Sequence, residues 1–233
     1  MITNNELTPE EAYTWLTKLM PGCRNTELEK IIAKDAECAC QYALDVIQGR
    51  WELAEPAIAT NAKWAYRYAA NVLKCRCELG EPAISTEAEW ACYYAKDIIK
   101  GRFELAEPVI ATVADWAWYY AWYVIQGRWE VAEPAIATSA THAHWYAVDV
   151  LKGRWELAEP AISQDSMYSY LYASSVLGGR FELGEPAIAT STKFSYLYAC
   201  NVLKCHFELG EPVILSNPES EWSEMYKEEF NIQ

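Results

Sequence analysis

A single twelve-residue phrase returns along this chain at a fixed interval, and that interval limits the fold before any one residue is read. GRWELAEPAIAT, from Gly49 to Thr60, recurs as CRCELGEPAIST from Cys75, GRFELAEPVIAT from Gly101, GRWEVAEPAIAT from Gly127, GRWELAEPAISQ from Gly153, GRFELGEPAIAT from Gly179 and CHFELGEPVILS from Cys205. The step is 26 residues each time, and a worn copy, NTELEKIIAK, lies one step earlier, from Asn25 to Lys34. A short fixed period is the mark of a repeat array, in which each unit buries its apolar face against its neighbours and chain length measures repeat number.

Between the copies a second segment aligns column by column. Tyrosine stands at 42, 68, 94, 120, 146, 172 and 198, and alanine follows it at every position. In one copy Ala65, Tyr68, Ala69, Val72 and Leu73 fall at i, i+3, i+4, i+7 and i+8, which is one face of an α-helix. Asp35 and the Thr60-Asn61 pair supply N-caps. Gly49, Gly101, Gly127, Gly153 and Gly179 are expected as the left-handed residues that end the helix, with Cys75 and Cys205 as exceptions. The recurring phrase predicts a shorter partner helix over Trp51 to Ala59, with Leu53, Ala57 and Ile58 on one side and Pro56 tolerated near its first turn.

The expectation is an all-α fold: a right-handed α-solenoid of about eight two-helix repeats, nine longer helices alternating with eight shorter ones. Residues 1–24 read as an N-terminal capping helix, with Thr8-Pro9 opening it, residues 25–215 as the array, and residues 216–233 as an acidic C-terminal capping helix over PESEWSEMYKEEF.

Composition narrows the partners. A net charge of -14 and a pI near 4.7 argue against direct nucleic-acid binding and anionic membranes, and leave a basic protein surface as the expected partner. The eight cysteines, Cys23, Cys38, Cys40, Cys75, Cys77, Cys92, Cys200 and Cys205, contain no CxxC pair, which predicts reduced thiols in a cytoplasmic protein. The opening MITNNELTPEEAY has no basic stretch leading into an apolar run, so no signal peptide is expected, and no run of ~18 apolar residues predicts a membrane span.

Glu52, Glu55 and Arg50 resemble a catalytic constellation, yet the set recurs at every repeat, as a turn would and an active site would not. The glutamates are expected to favour the start of the short helix, and the arginines to bridge to an adjacent repeat. His142 and His144 stand two apart, on different sides of a helix, and the CxC pairs Cys38/Cys40 and Cys75/Cys77 fail as ligand pairs for the same reason and read as buried small residues. Catalytic, cofactor-binding and metal-ligating residues are therefore all expected to be absent.

The informative positions are those that the repeat leaves free. By the 100° step of the helix, the columns one before and two after the fixed tyrosine face away from the core. There the chain carries Tyr93, Tyr119, Trp122, Trp145, Leu171 and Leu197, joined by Tyr123, where other copies carry Asp45, Asn71 or Asp97. Tyr93, Tyr119, Trp122, Tyr123, Trp145, Leu171 and Leu197 are the candidate partner-binding residues, since exposed apolar patches mark interaction sites. A homodimer contact and internal packing are the alternatives. The flanking aromatics, Trp64, Trp90, Trp116, Tyr168 and Phe194 with Tyr66, Trp118, Tyr170 and Tyr196, are expected to fill the spaces between repeats.

The unit GRW-x-x-x-EP-x-IA followed by a YA-x-x-V-I-x-G helix, over residues 25–215, resembles short tandem helical repeats of large tailed bacteriophages. In many of those repeats a proline follows the tryptophan, whereas here Glu52, Glu104 and Glu130 hold that slot and the prolines come four later. The resemblance implies a phage-encoded helical repeat protein of the host cytoplasm, a host-directed inhibitor or defence antagonist, and no enzyme. A sponge for a nucleotide-like signal and an acidic DNA mimic are the competing functions.

Overall fold

The computed structural model describes residues 7–19 and 23–232, and among these every regular element is helical. None of these helices is long and apolar enough to cross a membrane. The chain divides into two compact units, Met1–Ile110 and Ala111–Gln233.

In the first unit, helix Pro9–Thr14 runs on as a π-helix, Trp15–Leu19; the short helix Thr26–Ile32 follows. Composite long helices then span 36–47, 62–73 and 88–99, alternating with the short helices Glu55–Ile58, Glu81–Ile84 and Glu107–Ile110. In the second unit, long helices 114–125, 140–151, 166–177 and 192–203 alternate with Glu133–Ile136, Glu159–Ile162, Glu185–Ile188 and Glu211–Leu215, and Glu221–Phe230 closes the series.

Local chemistry sets most of the starts, although Glu87 and Val113, before the long helices 88–99 and 114–125, make no side-chain cap bond. Thr8 and Glu11 form a reciprocal capping box, and Asp35, Asn61, Ser139, Asp165 and Ser191 each accept from a backbone N–H of the following first turn. The ends differ from expectation. Each long helix widens into π winding just at or after the fixed tyrosine, as at Ala43–Ile47, so its last turn closes on i→i−5 bonds. The left-handed residue is consequently the one before the expected glycine: Gln48, Lys74, Lys100, Gln126, Lys152, Gly178 and Lys204 carry φ of 54° to 60°, and Gly49 and its equivalents do not. The fixed alanine then has a task, because the Ala43 carbonyl accepts from Gln48 N–H and from Gly49 N–H at 3.3 Å. Where Cys75 and Cys205 replace the glycine, neither bond forms to Ala69 or Ala199.

The short helices are shorter than expected. Only Glu55–Ile58 is α-helical, with Pro56 in its first turn as anticipated. Ala54 and Ile58 are fully buried, but Leu53 lies 53% exposed and does not share the core face. In four residues there is room for one inward side chain per turn, and Ile58 holds it.

The tyrosine column is the spine of the core. Tyr42, Tyr68, Tyr94, Tyr120, Tyr146, Tyr172 and Tyr198 are wholly buried, and the hydroxyls of Tyr42, Tyr68, Tyr94, Tyr146, Tyr172 and Tyr198 bond backward in sequence. Tyr68 Oη accepts from Trp51 N–H at 2.7 Å and donates to Glu55 at 3.2 Å, while Arg50 grips Glu55 with two bonds of 2.8 and 3.0 Å. The arginine therefore bridges within its own turn, five residues on, and not to an adjacent repeat. The same set joins Arg76, Glu81 and Tyr94, and Arg154, Glu159 and Tyr172. The worn copy keeps it as Arg24, Glu29 and Tyr42 without a proline, and at the other end Tyr226 takes the tyrosine slot, with His206 for arginine. That last slot was hidden in the sequence by a spacing of 28 residues from Tyr198 in place of 26.

Rings from neighbouring long helices meet as expected. Tyr66 lies 5.8 Å from Trp90 in the first unit, and His144–Tyr168, Tyr170–Phe194 and Tyr196–Trp222 repeat the contact at 5.7 to 5.9 Å in the second.

Candidate functional site

Two sets of residues invite a functional reading, and the structure treats them differently. The recurrent glutamate of the EP pair is fully engaged. Glu29 is held below the usual carboxylate range, first by its bond from Arg24, and Glu211 is held down first by His206 and then by Tyr226. For Glu81 burial acts the other way, but the combined bonds from Arg76 and Tyr94 leave it lowered. Burial pushes the partner hydroxyls of Tyr68, Tyr146 and Tyr172 up to about 12. These are the electrostatics of a locked turn, with the acid charged and the phenol protonated at neutral pH.

The two histidines are kept apart. His142 Nδ1 lies 2.9 Å from Ser139 Oγ and 3.2 Å from Asp115, whereas His144 is buried, its ring against Tyr168 and its Nδ1 without a hydrogen-bond partner among the described residues. Burial pushes His144 below its usual value, opposed by Asp149. None of the eight cysteines is in a disulfide; Cys38, Cys40 and Cys77 are buried as expected of small core residues, but Cys75 is exposed.

The free columns form the second set. Of the seven candidate residues, Tyr93 belongs to the first unit and the other six to the second. Trp122, Tyr123 and Trp145 are 38%, 43% and 46% exposed, but Tyr93, Tyr119, Leu171 and Leu197 are less exposed and partly covered by neighbours. The 100° rule fails here for a physical reason. The column before the tyrosine leans over the preceding repeat, so Trp145 packs edge-on against Trp118 at 5.2 Å and Tyr93 approaches Tyr66 at 6.0 Å. Beyond the tyrosine, π winding turns the chain less per residue, which brings the +3 column outward beside the +2 column. Tyr123 is thereby set next to Trp122, with the Tyr119 ring tilted against it at 4.5 Å.

Trp122 and Tyr123 open onto a hollow of about 450 Å³, also lined by Gln126, Gly127, Asp149, Val150 and Lys152. Sequence reasoning missed Asp149 and Lys152, although the signal was present: Asp149 lies one repeat after Tyr123 in the same column, and Lys152 one repeat after Gln126. It also missed a row of exposed aliphatic residues on the short segments, Leu53, Leu79 and Leu105 in the first unit and Val131, Leu157, Leu183 and Leu209 in the second, from 52% to 75% exposed.

No family model, curated protein or solved structure matches this chain.

Proposed function

We propose that this chain is a non-enzymatic helical repeat protein that binds a partner protein with a basic surface through the aromatic face of its second unit, centred on Trp122, Tyr123 and Trp145. One observation carries the reading. Positions that are small or polar in the first unit, such as Ala70, Asn71 and Arg67, are Trp122, Tyr123 and Trp145 in the second, each more than a third exposed. Large aromatics left in water without a core role are the usual anchors of an interface. The net charge of -14 favours a basic partner.

The repeat resemblance extends this to a phage-encoded, host-directed inhibitor acting in the host cytoplasm. We further infer that the hairpins of each unit wind as a right-handed α-solenoid, with about eight repeats in the chain, a reading supported by the alternation of long and short helices.

Trp122→Ala is the sharpest test, because Trp122 has no ring or hydrogen-bond partner among the described residues, whereas Trp145 packs on Trp118. Loss of partner capture with unchanged helicity and melting is expected; capture at wild-type level would refute the reading.

A nucleotide sponge gains some support from Lys152 beside the same two rings. It predicts stabilisation of the isolated protein by mononucleotides in a thermal-shift measurement. A DNA mimic gains less support, because Arg128 and Arg154 hold the EP glutamates Glu133 and Glu159 at 2.7 Å and also lie 3.8 and 3.9 Å from the outer glutamates Glu130 and Glu156.

A further inference from the structure

The hollow beside Trp122 sits where a bond made elsewhere between neighbouring long helices is missing. Tyr66 Oη donates to Asp97 at 2.9 Å in the first unit, and Asn201 Nδ2 donates to Tyr170 Oη at 3.0 Å in the second, each pair 31 residues apart. Trp118 and Asp149 occupy those same two columns. The indole cannot make the bond, because its ring packs against His142 at 6.0 Å and Trp145 at 5.2 Å and its Nε1 is buried with no acceptor among the described residues. Asp149 is left lining the hollow with no hydrogen-bond donor and no ion pair among the described residues.

Three things face that carboxylate. His144 is buried and neutral, Lys152 is exposed and makes no ion pair with it, and across the hollow stand Trp122 and Tyr123. An unpaired carboxylate beside two accessible π faces is the setting that a planar cation fills, with rings attracting it from one side and the carboxylate accepting its N–H groups from the other. Arginine suits this better than lysine, since its guanidinium stacks on aromatics and forks onto a carboxylate. A phosphate would meet Asp149 at close range within a chain of net charge -14.

We propose that this hollow is the seat for an arginine side chain presented by the partner protein, stacked against Trp122 and Tyr123 and hydrogen-bonded to Asp149. The proposal rests on the reading of the Trp122 face as a docking site and names the residue type it recognises. Lys152 is then a restraint on affinity, and its removal should tighten binding.

The test uses the full chain and three probes: acetyl-Gly-Arg-Gly-amide, the same peptide with neutral citrulline for arginine, and AMP. Binding is followed by the Trp122 indole resonance in NMR. The arginine peptide should shift that resonance saturably, and the citrulline peptide should bind at least tenfold more weakly. Asp149→Asn should weaken the arginine peptide at least tenfold, and Lys152→Met should strengthen it about two- to threefold. Equal binding of the citrulline peptide, indifference to Asp149→Asn, or AMP binding that Lys152→Met abolishes would each overturn the arginine seat. If Trp122→Ala abolishes capture of the partner protein but Asp149→Asn leaves its affinity unchanged, the arginine seat fails and the docking face stands. If Trp122→Ala leaves capture unchanged, both fail.

Discussion

The first unit contains the same hollow as the second, three repeats earlier, and the two differ in only part of their lining. Gln48, Gly49, Val72 and Lys74 repeat as Gln126, Gly127, Val150 and Lys152, but Leu44 stands for Trp122 and Asn71 for Asp149, and the volume is about 300 Å³ against 450 Å³. Asp45, at the position of Tyr123, is occupied by a 2.9 Å bond from Tyr13. The residues that end the helix are held constant because every repeat needs the same reversal of direction. The residues that face the opening vary because nothing in the frame constrains them. Function is therefore to be sought in the differences between the units, and stability in what they share.

The shared frame predicts parallel losses. Tyr68→Ala and Tyr172→Ala each remove a wholly buried ring and should cost about 3–5 kcal/mol in urea denaturation. Each loss should be localised by hydrogen exchange to the unit that carries it; uniform loss of protection through both units would break the comparison. Tyr68→Phe and Tyr172→Phe keep the ring and strand the N–H of Trp51 or Trp155, at a cost of about 1–3 kcal/mol.

The pH dependence should also run in parallel. The tyrosine hydroxyls are raised in the folded state from 10 to about 12, so their contribution is complete below pH 10 and is lost as pH rises through 12. Glu29 and Glu81 are lowered from 4.5, so their contribution is complete above that value and falls away as pH drops below it. Melting temperatures across pH 2–12 should therefore decline at both extremes; a curve still rising above pH 10 would contradict the tyrosine lock.

Smaller effects distinguish the helix ends. Gly178 is the one glycine at the left-handed position among the described residues, so Gly178→Lys should cost about 1 kcal/mol and Lys100→Gly should gain up to a similar amount, less the extra freedom of an unfolded glycine. The smallest effect is expected of Trp122→Ala, within about 0.5 kcal/mol as for other surface changes. Trp145→Ala should cost more, about 0.5–1.5 kcal/mol, through the lost edge-on contact with Trp118.

Much of the frame was legible before any coordinates. The buried tyrosine and alanine columns, the caps at Asp35 and Asn61, and the inter-repeat ring contacts follow from periodicity, because a residue repeated at a fixed phase has the same neighbours each time. The π-wound helix ends were not legible, since π and α winding draw on the same residue types. That single error moved the left-handed residue from Gly49 to Gln48 and changed which side chains share the outer face. The candidate face was half legible. Trp122, Tyr123 and Trp145 are exposed as expected, but Tyr119, Leu171 and Leu197 are partly covered, and Asp149 entered only through its neighbours in space.

By itself the sequence determined the period, the alternation of long and short helices, the buried columns and the acidic charge, since each follows from composition or phase along one chain. Only the tertiary structure decided that Glu55 is locked by Arg50 and Tyr68, that Leu53 faces solvent, and that Trp118 leaves Asp149 unpaired beside Trp122 and Tyr123. Those outcomes depend on which side chains from separate helices come within bonding distance, and that is set by helix winding and packing, not by spacing along the chain.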